Sequence, residues 1–257
     1  MKFAPLFLAL SLACLSCTLK HGREPAINTE LSDQKALAFA SYLRHNYQQA
    51  LEEISKAEEM GPKDPEVYNI KGLIHFNLRD FKKAKESYEK ALALKGDYSE
   101  ARYNLCGLYL TVSDWDSAVK ECSAASEDFL YKSRDRAYTS LGVAYYNMGE
   151  FEKAENAFKK SLELNPALVY THNELGKLYL KMGRNEEAID SFTRAIEGME
   201  NYDEAHNNLG IAYLNTGRVA EACLHFRRVV EISPNRLIGI NAKNYVKTVC
   251  GEGTGIY

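Results

Sequence analysis

The 257-residue chain contains a single tryptophan and only six prolines, and it lacks any excess of positive charge. Its 32 Lys and Arg stand against 35 Asp and Glu, giving a formal net charge of −3 and a pI near 6.1. Without a basic balance, or a basic cluster interleaved with aromatics, nucleic acid is not an expected partner. Past residue 16 no apolar run is long enough to span a bilayer. Chemistry-bearing residues do not gather into a catalytic constellation, and the six His are dispersed. Residues 251–255 read GEGTG but lack the preceding strand, following helix and Lys of a phosphate loop. The expectation is a protein with no enzymatic activity, cofactor, metal or small-molecule substrate.

What the sequence does have is a period. Tyr138, Leu141, Gly142, Tyr145, Ala154, Phe158, Ser161 and Pro166 fall in an order that returns 34 residues later as His172, Leu175, Gly176, Tyr179, Ala188, Phe192 and Ala195. It returns again as His206, Leu209, Gly210, Tyr213, Ala222, Phe226, Val229 and Pro234. This pattern resembles the tetratricopeptide-repeat (TPR) family. The fold so implied is all-α: a right-handed superhelix, or α-solenoid, of six helix–turn–helix repeats with a C-terminal capping helix. The repeats align over 31–64, 65–98, 99–132, 135–168, 169–202 and 203–236, with the cap over 237–249 and a tail over 250–257.

In each repeat the eighth position is small (Ala38, Gly72, Cys106, Gly142, Gly176, Gly210) and the twentieth is always Ala. The twenty-fourth is large in five of the six: Ile54, Tyr88, Phe158, Phe192 and Phe226, with Cys122 in the third. Small facing large at helical spacing lets two helices cross with close backbones. On that register Cys106 and Cys122 face one another within one repeat, while Cys223 and Cys250 bring the sixth repeat and its cap together. Two disulfides are the expectation and buried free thiols the alternative.

The N-terminal MKFAPLFLALSLACLS resembles a bacterial lipoprotein signal over residues 1–16, with Cys17 as the acylated residue and 17–30 as a flexible tether. Cys14 is a competing acylation site, and a plain cleaved signal is the alternative without lipid.

Positions 2, 5, 9, 12 and 13 of each first helix share one stripe, which in TPR proteins lines the concave groove. The binding candidates on it are Phe39, Tyr42, Leu43, Asn69, Leu73, Phe76, Asn77, Tyr103, Leu110 and Tyr146. An apolar strip flanked by amides suits a partner helix or extended peptide. The chain's own N-terminal segment partly covering the first-repeat aromatics is the other reading.

The irregular third-to-fourth join, from Ala124 through Phe129-Leu130-Tyr131 and a two-residue insertion at Ser133-Arg134, together with Tyr103-Asn104-Leu105-Cys106-Gly107, resembles the type IV pilus biogenesis lipoproteins of the PilF/PilW/Tgl pilotin type. That resemblance implies a lipid-anchored protein on the periplasmic face of the outer membrane. It also implies that the chain binds the pilus secretin subunit and promotes its localisation or multimerisation. A TPR scaffold of another envelope machine, for outer-membrane protein assembly or cell-wall synthesis, shares every feature but the join.

Overall fold

The computed structural model describes residues 25–251. The signal at 1–16, the candidate lipid sites Cys14 and Cys17, the first part of the tether and residues 252–257 lie outside them. The described residues form thirteen α-helices. Six antiparallel pairs follow in order: α1 (Pro25–Leu43) with α2 (Tyr47–Met60), α3 (Pro65–Asn77) with α4 (Phe81–Leu94), and α5 (Ser99–Thr111) with α6 (Trp115–Glu127). The remaining pairs are α7 (Arg134–Met148) with α8 (Phe151–Leu164), α9 (Val169–Lys181) with α10 (Asn185–Gly198), and α11 (Asp203–Asn215) with α12 (Val219–Ile232). Helix α13 (Leu237–Val249) packs on α12.

Two starts differ from the sequence expectation. Helix α1 begins at Pro25, inside the stretch expected to be a flexible tether. Proline at a first helical position has its φ already set and has no N–H to leave unpaired. Helix α7 takes in Arg134, so half of the insertion becomes helix.

The second helices show why the chain folds this way. In α8 the buried residues are Ala154, Ala157, Phe158 and Ser161, one stripe at helical spacing, while most of the Lys and Glu between them face solvent. Every twentieth-position Ala is fully buried, and so are the large residues of the twenty-fourth position. The fit is tight: a Cβ built on Gly142 would lie 2.5 Å from Phe158 Cε1, and one on Gly176 would lie 2.6 Å from Phe192 Cε1. Only a residue without a side chain allows that approach. At the third crossing a Cys106–Cys122 disulfide replaces the small–large pair (Cα–Cα 5.3 Å), and Cys223–Cys250 ties the cap to α12 (5.7 Å).

Joins between repeats are held by a recurring bond. The fourth-position side chain reaches six residues back to a loop carbonyl: Tyr68 Oη to Pro62 (3.0 Å), Arg102 to Gly96 (2.8 Å), His172 Nε2 to Pro166 (2.8 Å) and His206 Nε2 to Glu200 (2.9 Å). Each satisfies a carbonyl of the loop between repeats, which no helical hydrogen bond serves. Within each repeat the turn is closed by a residue with positive φ at the fifteenth position. It is glycine in the last three repeats (Gly149, Gly183, Gly217) but His45, Arg79 and Ser113 in the first three.

Curvature follows from which helices meet. First helices touch the first helices of neighbouring repeats (α1 with α3, and so on to α11 with α13), whereas no second helix meets another second helix among the described residues. The first helices therefore crowd the inner side and line the concave face.

Candidate functional site: the inner face of the first helices

At its N-terminal end the inner face carries an apolar strip. Phe39 stacks on Tyr42 with ring centroids 5.7 Å apart, and Tyr42 in turn meets Tyr47 at 6.0 Å. Phe39 is 40% exposed and Leu43 62%, so the strip is open to solvent. Asn77 donates to Tyr42 Oη (3.0 Å) and to the Leu73 carbonyl (3.0 Å), which holds the rim of this strip in place.

Other groove candidates do something different. Leu73, Phe76 and Leu110 are half-buried and pack against the hydrophobic core, with Phe76 also against Phe81 (5.7 Å). Tyr146 leans on Phe151 (6.1 Å).

Asn69 is a correction: it is only 2% exposed and is no open groove residue. It accepts from Asn104 Nδ2 at 2.8 Å and lies 3.5 Å from Tyr98 Oη. Asn173 accepts from Asn208 (3.2 Å) in the same way three repeats on. A buried amide is costly unless paired, and these pairs across repeats fix the register of the stack. The signal was present in the sequence, since each pair is separated by 35 residues.

The middle of the inner face holds a pocket that the groove stripe traces only in part, through Tyr103, Arg136, Thr139 and Tyr170. About 520 Å³ in volume, it is lined by Tyr103, Arg136, Tyr170, Met199 and Tyr202, with Thr139 and Thr171 behind them. The two threonines and Ser161 bond one another (Thr139–Thr171 2.6 Å, Thr139–Ser161 2.8 Å), so their buried hydroxyls are satisfied internally. Tyr103 is braced by Tyr131 at 6.1 Å. Burial pushes the Tyr170 hydroxyl up to about 12, so it stays protonated and able to donate. Farther along, Lys177 bridges Glu174 (2.9 Å) and Glu204 (3.5 Å). Burial pushes the Glu174 carboxyl above its ordinary range despite that lysine.

Near the C-terminal end, Asn207, Ile211, Ile238, Asn241, Asn244 and Tyr245 line a further cavity of about 450 Å³. A larger cleft of about 680 Å³ lies off the inner face beside α10. It is lined by charges of both signs, among them Lys159, Glu163, Glu186, Asp190 and Arg194.

The histidines divide. His206 Nε2 donates to the Glu200 carbonyl, so its Nδ1 is the lone pair that receives His225 Nδ1–H across 2.9 Å. His225 also stacks on Tyr213 (5.6 Å). Burial, then the neighbouring His206, lowers the His225 ring to about 4, and burial lowers His206 as well. Among the described residues no group of three or more His, Cys, Asp or Glu could hold a metal. No described helix is long and apolar enough to cross a membrane.

One further feature stands apart from the groove. In the third-to-fourth join, Phe129 and Leu130 are 84% and 91% exposed. The turn that carries them is nevertheless tied down. Asp128 accepts from Ser99 Oγ (2.5 Å) and from the Leu130 N–H (2.9 Å), and the Arg134 guanidinium sits 4.4 Å from the Phe129 ring centre.

Comparison with known proteins agrees with this geometry. The tetratricopeptide-repeat family pattern matches residues 65–98, 135–168 and 173–236. The type IV pilus assembly protein PilF of Pseudomonas aeruginosa is 27% identical over 167 residues, which take in 63% of this chain and 66% of PilF, just under two thirds. The human cilia- and flagella-associated protein 70 is 27% identical over 132 residues, only 12% of its length. Among solved structures, P. aeruginosa PilF superposes with a TM-score of 0.76 at 21% identity, covering 85% of this chain and 98% of that one. PilW, a type IV pilus biogenesis factor, superposes with 0.78 at 20% identity, covering 83% and 98%. With six helix pairs, a repeated small–large crossing and the family pattern all in one register, the chain belongs to the tetratricopeptide-repeat family and shares the fold of PilF and PilW.

Proposed function

We propose that this protein is a non-enzymatic binding lipoprotein of type IV pilus biogenesis. It holds the secretin subunit against the inner face of its first helices, at the periplasmic side of the outer membrane. The observation that carries the reading is the match to PilF in sequence together with a fold that accounts for 98% of both the PilF and PilW chains. The exposed Phe39–Leu43 strip supports protein as the ligand, because a rigid apolar groove binds a helix or extended segment without ordering itself first. An acyl chain on Cys17 would make capture of a membrane-bound subunit effectively intramolecular, raising its local concentration. One acyl chain binds only marginally, so stable anchoring needs more than one.

The test is recovery of the secretin with the affinity-tagged full chain from native membranes. Phe39→Ala combined with Leu43→Ser is the suitable variant, since both side chains are exposed while Phe76 also supports the core. Recovery should fall with the melting temperature unchanged. Cys17→Ser should move the chain from the membrane to the soluble fraction. Full recovery by the groove variant would refute the binding face, and recovery of a different envelope machine would refute the pilus assignment.

A further inference from the structure

The pocket between α5, α7 and α9 has a chemistry of its own. Three tyrosines and a methionine wall it, with Tyr170 and Met199 each more than half exposed. Its only charged side chain is Arg136. Elsewhere among the described residues Arg102, Arg184, Arg194, Arg218, Arg228 and Arg236 each lie within ion-pair distance of a carboxylate, while Arg44, Arg79 and Arg134 lie outside the pocket and do not. Arg136 has no such partner among the described residues, although its own main-chain N–H is held by Asp135 Oδ1 at 2.8 Å. The acids farther along the face, Glu174 and Glu204, are already bridged by Lys177. The result is an aromatic-walled cavity with one uncommitted guanidinium at its edge, on the face that the first helices line.

We propose that this pocket seats one bulky apolar side chain of an extended peptide partner, while Arg136 pairs with a carboxylate on the adjoining residue. The inference rests on the reading of the inner face as a peptide-binding groove, and it adds which partner residues the middle of that groove selects. Volume and chemistry agree: about 520 Å³ is ample for an aromatic ring, and pockets of this kind gain specificity from few polar groups in an apolar wall. A guanidinium offers paired N–H donors in the plane that a carboxylate accepts, so an aspartate or glutamate is favoured over a neutral amide. The floor adds no competing polar demand, because the Thr139, Thr171 and Ser161 hydroxyls satisfy one another.

The experiment measures fluorescence anisotropy of the full chain with three fluorescein-labelled peptides, identical except at a central Phe-Asp, Phe-Asn or Ala-Asp pair in a Gly-Ser frame. The Phe-Asp peptide should bind about 10-fold tighter than either of the others, the size of one charge-assisted hydrogen bond or one buried ring. Arg136→Gln should erase the Asp-over-Asn preference and keep Phe over Ala. Tyr170→Ala with Met199→Ala should do the reverse. Helical circular dichroism of each variant verifies that the fold is retained. Equal binding of all three peptides, preferences indifferent to Arg136, or no binding at millimolar peptide would overturn the inference. Secretin recovery that falls with the Phe39/Leu43 variant but not with Arg136→Gln would leave the groove reading standing and remove this pocket from it.

Discussion

The crossing glycines offer the sharpest test of the packing, because two well-understood effects oppose each other there. Glycine inside a helix is about 1 kcal/mol worse than alanine, so Gly→Ala stabilises wherever there is room. At Gly142 there is none. The added Cβ would sit 2.5, 2.6 and 3.0 Å from three atoms of the Phe158 ring. That ring is fully buried among Ala154, Leu175 and Leu178 and has nowhere to retreat. Forcing a methyl into a filled core costs about 1–3 kcal/mol, which cancels or outweighs the propensity gain, so Gly142→Ala destabilises by up to about 2 kcal/mol. Gly107, in α5 on the inner face, has nothing within 4 Å of its Cβ position. Gly107→Ala should therefore stabilise by about 1 kcal/mol. Urea denaturation followed at the helical band gives both values from midpoints at constant slope. Adding Phe158→Leu to Gly142→Ala should cost less than the sum of the two single changes, since the smaller side chain makes room for the methyl. If Gly142→Ala gained as much stability as Gly107→Ala, the close crossing would not exist in solution.

Further expectations follow from the turns, the bridges and the histidine pair. Arg79→Gly and Ser113→Gly should each raise stability by about 1 kcal/mol, because both residues hold φ of 60° and glycine bears that conformation at no steric cost. Unchanged melting curves would count against strain at these turns. Reduction should add four hydrogens to the intact mass, and loss of the 16- and 27-residue closures should lower stability by about 3 kcal/mol each. A mass unaffected by reductant would refute both bridges. Acid should also destabilise the protein. His225 binds its proton in the unfolded chain near pH 6.5 but in the fold only near 4, so between those values unfolding takes up a proton and stability falls with pH, then levels off below about 4. Tyr213 faces His225, and Arg228 and Glu200 act on His206, so His225→Gln leaves these groups in place and should flatten the slope. A slope unaltered by that change would assign the acid sensitivity elsewhere. One such source is Glu155, which burial opposes but Arg184 and Lys159 hold at about 2; its contribution is lost only as pH falls toward that value.

Much of the fold was legible because one steric requirement recurs in every repeat. A tiny residue, an alanine and a bulky residue at fixed spacing can be read without any coordinates, and the helix pairs fall on that register from Ser99–Glu127 to Asp203–Ile232. The start of α1 was harder to read, since Pro25 opens a helix whose early residues carry no apolar stripe. The inner face was legible only as a stripe. Tyr170 belongs to it, but Met199 and Tyr202 come from the loop after α10, where helical periodicity gives no guidance. Asn69 misled for the opposite reason: an amide on the right face can spend its bonding on the next repeat, and the partner Asn104 was one repeat plus one residue away. The fourth-position histidines follow the 34-residue register, which says nothing of their bonding. In the structure each bonds its own loop carbonyl, and His206 gains a partner from α12 that no period of 34 relates to it.

The Cys223–Cys250 bridge carries a consequence for how the molecule comes apart. A stack of repeats loses order by peeling at its ends, since a terminal unit has a neighbour on one side only. Here the last helix is stitched to the one before it, so the C-terminal end cannot peel without carrying its anchor along. Among the described residues the opposite end has no disulfide: α1 and α2 hold each other through packing and the Gln34 Nε2–Glu53 carbonyl hydrogen bond (3.2 Å), and their turn runs through His45 in the left-handed region. Disassembly accordingly has a direction, starting beside the Phe39 strip and running toward the cap.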